Sequence, residues 1–246
     1  MFSRFNEGIK KTVADHFPLK IKIELKDIFA ILLIPMIFLN SYIISFITGD
    51  RIELAFADSM FRGFLFFLIC LIYGKMLRAH WRKFNAAKWQ SWLLVIAGAI
   101  LIQVVIHLTR SLLPLEHTPV EEAKDDIDIT KPGFMILFIA MGPIFTALIE
   151  DIIFRYTLLS KLFIPNRVWR IILVILNAVG FGLIHYNNFG GSILATVSFM
   201  SAGLFLNLIY IYTRNIWHVL LIHALNNFVL SVLGLIVGWI LAGFIK

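Results

Sequence analysis

The sequence predicts an all-helical bundle of about eight helices that span a membrane. Of its 246 residues, 60% are hydrophobic and only 15% are charged, whereas a soluble domain is about half apolar and about a quarter charged. The apolar residues gather in runs long enough for a helix to cross the hydrocarbon core. Lysine and arginine concentrate in alternate connections between these runs. The basic residues behind the formal net charge of +7 thus follow the pattern of a membrane topology and not that of a nucleic-acid-binding face. We therefore expect a lipid bilayer and no nucleic acid as partner.

Residues 1–27 precede the first apolar run and are predicted to form a basic, amphipathic leader on the cytoplasmic side. Apolar residues recur at every fourth position of this leader: Phe5, Ile9, Val13 and Phe17. The spacing predicts a helix that lies on the membrane surface and ends before Pro18. A partly disordered leader is the alternative. The first run begins at Ile28 without a small-residue cleavage site, so we expect it to be retained as an anchor.

Residues 28–132 are predicted to hold the first three spans and an acidic outer loop. The spans are expected at residues 28–47, 61–77 and 92–113. The connection after the second span is rich in basic and indole side chains: Arg78, Trp81, Arg82, Lys83, Lys88 and Trp89. The acidic segment from Glu116 to Asp128 is expected to be a solvated exterior loop that closes at Pro132. Recruitment of a basic peptide by this loop is the alternative.

Residues 133–246 are predicted to form the functional core of the bundle. Its spans are expected at residues 133–163, 171–186, 193–212 and, as two short helices, 216–245. The fourth span exceeds the length of one crossing and is predicted to tilt or to break near Gly142-Pro143. The last run is predicted to turn between Ser231 and Gly234. The alternation of basic connections places both termini in the cytoplasm and the protein in the cell membrane.

Three charged residues interrupt the middle of the fourth span: Glu150, Asp151 and Arg155. A charge at membrane depth costs about 2.5–3.5 kcal/mol on insertion scales and normally faces a bundle interior or a wet cavity. Asp151 and Arg155 are four residues apart, so they can pair on one helix face. Glu150 lies about 100° round the helix from Asp151, so its carboxylate can contact a different partner. A purely structural ion pair is the alternative.

Two further polar clusters lie in later spans. Phe181 and His185 share one helix face at the end of span five, and His223 and Asn227 share one face in span seven. If the three clusters face one cavity, a carboxylate and an imidazole can activate water. The second imidazole and the amide can then donate hydrogen bonds to an oxyanion. These groups are sufficient for a peptide hydrolase that uses neither serine nor cysteine as nucleophile.

The three clusters resemble the motifs of the CAAX protease and bacteriocin-processing family of intramembrane glutamic endopeptidases, also called the Abi family. That family carries Glu-Glu-x-x-x-Arg, Phe-x-x-x-His and His-x-x-x-Asn in this order. The matching segments are Glu150–Arg155, Phe181–His185 and His223–Asn227. The resemblance covers residues 133–232 and agrees with an eight-helix design. It departs from the family at Asp151, where the usual residue is Glu.

The resemblance implies a role for each matched residue. Glu150 and His185 would activate the attacking water, and His223 and Asn227 would stabilise the oxyanion. The supporting residues would be Asp151, Arg155 and Phe181. The substrate would be a membrane-associated peptide or protein, such as a bacteriocin or pheromone precursor or a CAAX-type protein.

Three alternatives use the same residues. The cavity could bind a peptide without cleaving it, as in a bacteriocin-immunity factor or scaffold, or its carboxylates could carry protons in a small transporter. Glu150, His185 and His223 could also ligate zinc. The sequence has no His-Glu-x-x-His helix, and the resemblance implies a metal-free mechanism, so we expect no cofactor.

Overall fold

The computed structural model describes residues 2–115 and 133–244, and every regular element in these ranges is helical. The α-helices are α1 (Phe2–Lys11), α2 (Leu25–Ile44), α3 (Arg51–Asn85), α4 (Lys88–Ser111), α5 (Phe134–Asp151), α6 (Arg167–Leu183), α7 (Ile193–Thr213), α8 (Ile216–Asn227) and α9 (Gly234–Phe244). Two π-helical segments, Ile152–Ser160 and Phe228–Leu233, continue α5 and α8, and a 3₁₀ turn, Tyr186–Phe189, follows α6. The predicted all-helical class is confirmed. The predicted acidic outer loop lies outside the described residues.

Six stretches in the described ranges are long and apolar enough to cross a membrane. They are Leu25–Ile44, Arg51–Asn85, Lys88–Ser111, Phe134–Ser160, Ile193–Thr213 and Ile216–Gly243. Large apolar side chains such as Phe29, Leu101 and Ile175 remain exposed on the outside of the bundle, as expected of surfaces that face lipid rather than water.

The predicted turn in the last apolar run is wrong. The chain passes from α8 through the π-helical segment Phe228–Leu233 into α9 without leaving the helical path. Ser231 donates its hydroxyl to the carbonyl of Asn227 at 2.5 Å. Gly234 keeps helical dihedral angles, with φ −56° and ψ −44°. Serine and glycine both remain within a helix when their backbone keeps helical dihedral angles. The excess length of the apolar run therefore does not indicate a turn.

The helix α3 is longer than the second predicted span at both ends. Its 35 residues correspond to about 52 Å, well beyond a hydrocarbon core of about 30 Å. Asp50 caps its start by accepting from the backbone N–H groups of Ile52 and Glu53. Arg78 and Arg82, predicted to lie in a connection, therefore stand on the last turns of this helix.

The fourth span does not break at Gly142-Pro143, because α3 compensates for the proline. Pro143 has no N–H to donate to the carbonyl of Ile139, four residues earlier. Ser59 of α3 donates its hydroxyl to that carbonyl at 3.4 Å. Gly142 permits this approach, since a Cβ there would lie 2.7 Å from the Ser59 hydroxyl oxygen. The irregularity comes later, at the π-helical segment that follows Asp151.

The leader docks on one end of the bundle. The helix α1 ends at Lys11, earlier than the four-residue repeat predicts. Beyond two last turn bonds, the backbone N–H groups of Ala14 and Asp15 donate to the carbonyl of Arg214 instead of continuing the helix. Ile9 is 1% exposed, and the amide nitrogen of Asn215 donates to the carbonyl of Thr12 at 2.8 Å. Tertiary bonds to the α7–α8 connection thus replace the last predicted helical turns.

Candidate active site

Glu150 and Asp151 lie together at the end of α5, in the buried centre of the bundle. Their exposed fractions are 4% and 0%. Adjacent helical residues point in directions about 100° apart, and the two carboxylates accordingly meet different partners. Glu150 lines a cavity, whereas Asp151 faces Arg155 and His223 behind it. The π-helical segment begins directly after this pair, as is frequent at functional sites.

Arg155 is fully buried and is held by three kinds of contact. Its Nη1 lies 2.9 Å from Asp151 Oδ1, and its Nη2 donates to the carbonyl of Gly203 at 3.3 Å. Its guanidinium carbon lies 4.2 Å from the ring centroid of Phe181, within the range of a cation–π contact. These contacts join the fourth span to α6 and α7. Neither Arg155 nor Phe181 lines the cavity, and their supporting role stays a prediction.

His223 approaches the same carboxylate from α8. Its Nδ1 lies 3.3 Å from Asp151 Oδ2. If Asp151 is ionised it can only accept a hydrogen bond, and Nδ1 of His223 is then the donor in this contact. Nε2 is then the ring atom left for a ligand in the cavity, which His223 lines. Sequence reasoning paired Asp151 with Arg155 only and missed this contact, because nothing local relates two residues that are 72 positions apart.

His185 lies just beyond the end of α6 and is 9% exposed. Gly182 lets α6 approach α7 closely, since a Cβ there would lie 2.8 Å from the backbone nitrogen of Met200. The following 3₁₀ turn brings Asn188 Nδ2 to 3.4 Å from His185 Nδ1. His185 Nε2 has no hydrogen-bond partner within the described part of the chain. The atom is also buried, so the ring must shift before Nε2 can contact a water molecule or a substrate in the cavity.

Asn227 stands one turn beyond His223 and lines the same cavity. Its Nδ2 donates to the carbonyl of Pro143 at 3.0 Å, and its Oδ1 accepts from Asn226 at 3.1 Å. The Asn226 oxygen in turn accepts from Gln103 at 2.5 Å. This chain of amides fixes the orientation of Asn227. The second hydrogen of its amide nitrogen can still be donated to a ligand.

The cavity, called here the polar cavity, has a volume of about 470 Å³. Four of the predicted site residues line it: Glu150, His185, His223 and Asn227. Its other polar lining residues are Asp58, Ser59, Arg62, Thr146 and Asn188. Apolar walls come from α2, α5 and α7, among them Ile37, Ile139 and Phe199. The volume falls in the range of about 300–1,000 Å³ typical of ligand sites.

Sequence reasoning did not identify Arg62 as a residue of this cavity. Arg62 Nε lies 2.6 Å from Asp58 Oδ2, and its Nη1 donates to Thr146 at 2.7 Å. Thr146 is one turn before Glu150 on α5, and Arg62 and Glu150 line the same cavity. The sequence holds one hint, because Arg62 follows the acid Asp58 by four residues as Arg155 follows Asp151, but this spacing does not show that Arg62 reaches the cavity.

The described ranges contain no group of three or more His, Cys, Asp or Glu side chains arranged to hold a metal ion. The zinc alternative needs Glu150, His185 and His223 to converge on one point. The Nδ1 contacts of His185 with Asn188 and of His223 with Asp151 would leave Nε2 of each ring as the zinc ligand. Metal independence stays a prediction.

Comparison with known families identifies the region that holds these residues. The family model "Type II CAAX prenyl endopeptidase Rce1-like" matches residues 132–229. This interval contains all three sequence motifs and therefore every candidate catalytic and supporting residue. No curated protein and no solved structure matches the chain. Residues 132–229 are therefore similar to an Rce1-like domain, which belongs to the CAAX protease and bacteriocin-processing family.

Proposed function

We propose that this protein is an intramembrane endopeptidase in which Glu150 and His185 activate the water molecule that attacks a peptide bond. One geometric observation supports this function above the others. Side chains from three separate elements, Glu150, His185 and the His223–Asn227 face, all line the polar cavity. A general base, a water-holding imidazole and two oxyanion donors are the groups that such a hydrolysis needs.

Glu150 acts as the general base in this mechanism. Its carboxylate takes a proton from the water while the water oxygen attacks the substrate carbonyl carbon. When Asn188 donates to Nδ1 of His185, the imidazole carries its proton on Nε2. A shift of the ring that opens this buried atom to the cavity then lets it donate to the water oxygen. After the attack, Glu150 passes its proton to the nitrogen of the leaving amine. The peptide C–N bond then breaks, and a carboxylic acid and an amine are released.

The negative charge that forms on the carbonyl oxygen is received by α8. Asn227 offers its second amide hydrogen, and His223 offers Nε2–H when both ring nitrogens are protonated. Donors fixed in place before the reaction stabilise an oxyanion more in a buried site than in water. Asp151 acts through His223 as a positioning residue. Although it is one methylene shorter than Glu, it contacts both His223 and Arg155.

The substrate class follows from the surroundings of the site. The polar cavity lies among helices long and apolar enough to cross a membrane, and its walls are partly apolar. We therefore propose a peptide or protein segment held at the membrane, either a CAAX-type chain or a bacteriocin or pheromone precursor.

Cleavage by the purified protein in liposomes tests this function. A pool of CAAX-type lipidated peptides and precursor peptides is incubated with wild type, Glu150→Gln and His185→Ala, and products are identified by mass spectrometry. We expect cleavage by wild type, loss in both variants, and no effect of a chelator. Loss on chelation with rescue by zinc would replace the glutamate mechanism with a metal-dependent one. Peptide binding without cleavage that survives Glu150→Gln would instead indicate a peptide-binding scaffold.

A further inference from the structure

A second pocket lies toward the C-terminal end of α3, where this helix meets the start of α8. Its volume is about 640 Å³, and it shares no lining residue with the polar cavity. The lining residues are Lys75, Leu77, Arg78, Trp81, Arg82 and Trp217. We call it the basic pocket.

Three cations of the basic pocket stand on one face of α3. Lys75, Arg78 and Arg82 follow each other at spacings of three and four residues, which stacks them along the helix. All three are exposed. Within the described part of the chain, none of them forms an ion pair, and no acidic side chain lines the pocket. Like charges at this spacing repel each other, so the pocket is electrostatically complementary to an anion.

The same exposed face of α3 is apolar on the preceding turns. Phe64, Phe67 and Leu71 are 55%, 59% and 65% exposed and continue the stripe of Lys75 and Arg78 at helical spacing. One continuous surface therefore changes from apolar to cationic along a helix long enough to cross the bilayer and extend beyond it. A phospholipid has the matching order, with acyl chains that lead to a phosphate.

Two indoles form a fixed wall of the basic pocket. The ring centroids of Trp81 and Trp217 lie 4.8 Å apart at 61°, and Trp217 Nε1 donates to the carbonyl of Leu77 at 2.8 Å. Trp81 also stacks on Phe84 with centroids 5.1 Å apart. Indoles favour the level of the lipid headgroups because their bodies are apolar and their N–H groups are polar. The wall offers an apolar surface to the glycerol and the first acyl carbons of a lipid.

We propose that the basic pocket binds the headgroup of an acidic phospholipid. The phosphate contacts Arg78, Arg82 and Lys75, and the glycerol region packs on Trp81 and Trp217. The apolar part of the α3 stripe favours a membrane lipid over a free phosphate ion, because only the lipid covers both halves of the surface.

Lipid binding by the full-length protein tests this site. Phosphatidylglycerol and phosphatidylcholine are added separately to the protein in detergent, and bound lipid is counted by native mass spectrometry. We expect wild type to bind phosphatidylglycerol preferentially and the variant Lys75→Gln/Arg78→Gln/Arg82→Gln to lose about 100-fold of that affinity, since each of the three basic residues near a lipid surface contributes about fivefold. The control variant Lys83→Gln/Lys88→Gln/Arg167→Gln removes the same charge from exposed residues outside the pocket.

The possible outcomes distinguish a specific lipid site from binding by general surface charge and from a phosphate site. Preference for phosphatidylglycerol that is lost only in the pocket variant supports the proposal. Equal loss in the control variant, or no preference in wild type, overturns it because general surface charge then accounts for binding. Glycerol phosphate that displaces the lipid at equal concentration overturns the lipid assignment in favour of a phosphate site. Thermal unfolding of each variant verifies that the exposed substitutions leave the fold intact.

Discussion

Asp151 Oδ2 lies 3.3 Å from His223 Nδ1, and this contact joins the fourth span to α8 directly behind the polar cavity. The other carboxylate oxygen lies 2.9 Å from Arg155 Nη1. A single buried acid therefore links the arginine of one motif to the histidine of another. Residues of the first and third motifs therefore contact each other across the bundle, although the two motifs lie far apart along the chain.

The first prediction concerns the charge of Asp151. Asp151→Asn keeps the size of the side chain but removes the negative charge between Arg155 and His223. We expect kcat for peptide cleavage to fall about 10- to 100-fold, as for other residues that orient a catalytic imidazole, while KM changes little. Steady-state cleavage of one peptide in liposomes measures both constants.

Asp151→Glu is the matched control for that variant. It preserves the charge and restores the residue usual in the family, so it should keep most of the wild-type kcat. An unchanged kcat in Asp151→Asn would contradict the positioning role. An equal loss in both variants would show that the position tolerates neither change in length nor change in charge.

The second prediction concerns Asn188, which contacts His185 Nδ1 at 3.4 Å. Asn188→Ala removes the partner that orients the ring, and we expect kcat to fall about tenfold without loss of thermal stability. Asn187→Ala is the matched control, because the neighbouring side chain does not line the polar cavity. Equal activity of the two variants in the same cleavage assay would remove Asn188 from the site.

The sequence was most informative where polar residues interrupt apolar helices. The cost of burying Glu150, Arg155 or His223 in a membrane marks each of them as paired or functional, and local spacing shows which residues share a face. The contributions of Arg62 and Asn188 depend instead on how helices meet. Arg62 reaches the polar cavity because α3 packs closely on α5, a tertiary fact that no local pattern contains.

The errors in the sequence prediction also arise where local patterns do not contain the tertiary contacts or the backbone path. The repeat in the leader predicted a helix through Phe17, but Ala14 and Asp15 bond to Arg214, about 200 residues away along the chain. Hydropathy likewise cannot distinguish one long helix from two short ones when the junction holds Ser231 and Gly234, residues that fit either arrangement. Propensity is a weak guide wherever tertiary bonds compete with it.

The third prediction concerns the buried ion pair between Arg155 and Asp151. Arg155→Met leaves a carboxylate at 0% exposure without its cationic partner, so we expect a loss of about 3–5 kcal/mol in the free energy of unfolding. The double variant Asp151→Asn/Arg155→Met removes both charges and should be less destabilised than Arg155→Met alone. Thermal unfolding in detergent measures both. A double variant that is no more stable than the single one would show that packing around Phe181, rather than charge pairing, governs the loss.

The fourth prediction concerns the leader, whose Asp15 reaches the end of the fourth span. The Asp15 carboxylate accepts from Ser160 at 3.0 Å and from the hydroxyl of Tyr210. Asp15→Ala leaves these buried donors without an acceptor, so we expect a loss of about 1–3 kcal/mol in the free energy of unfolding.

Glu7→Ala provides the matched control for the leader, because Glu7 is an exposed acid of α1 and its removal should change stability by no more than about 0.5 kcal/mol. Tyr210→Phe deletes one of the donors, and its effect should add only partly to that of Asp15→Ala, since both changes break the same bond. If Asp15→Ala unfolds at the same temperature as Glu7→Ala, the leader rests on the bundle without stabilising it. A clear difference between the two variants would show that the leader stabilises the bundle. Asp15 would then act through Ser160, the last residue of the π-helical segment that begins one residue after Asp151.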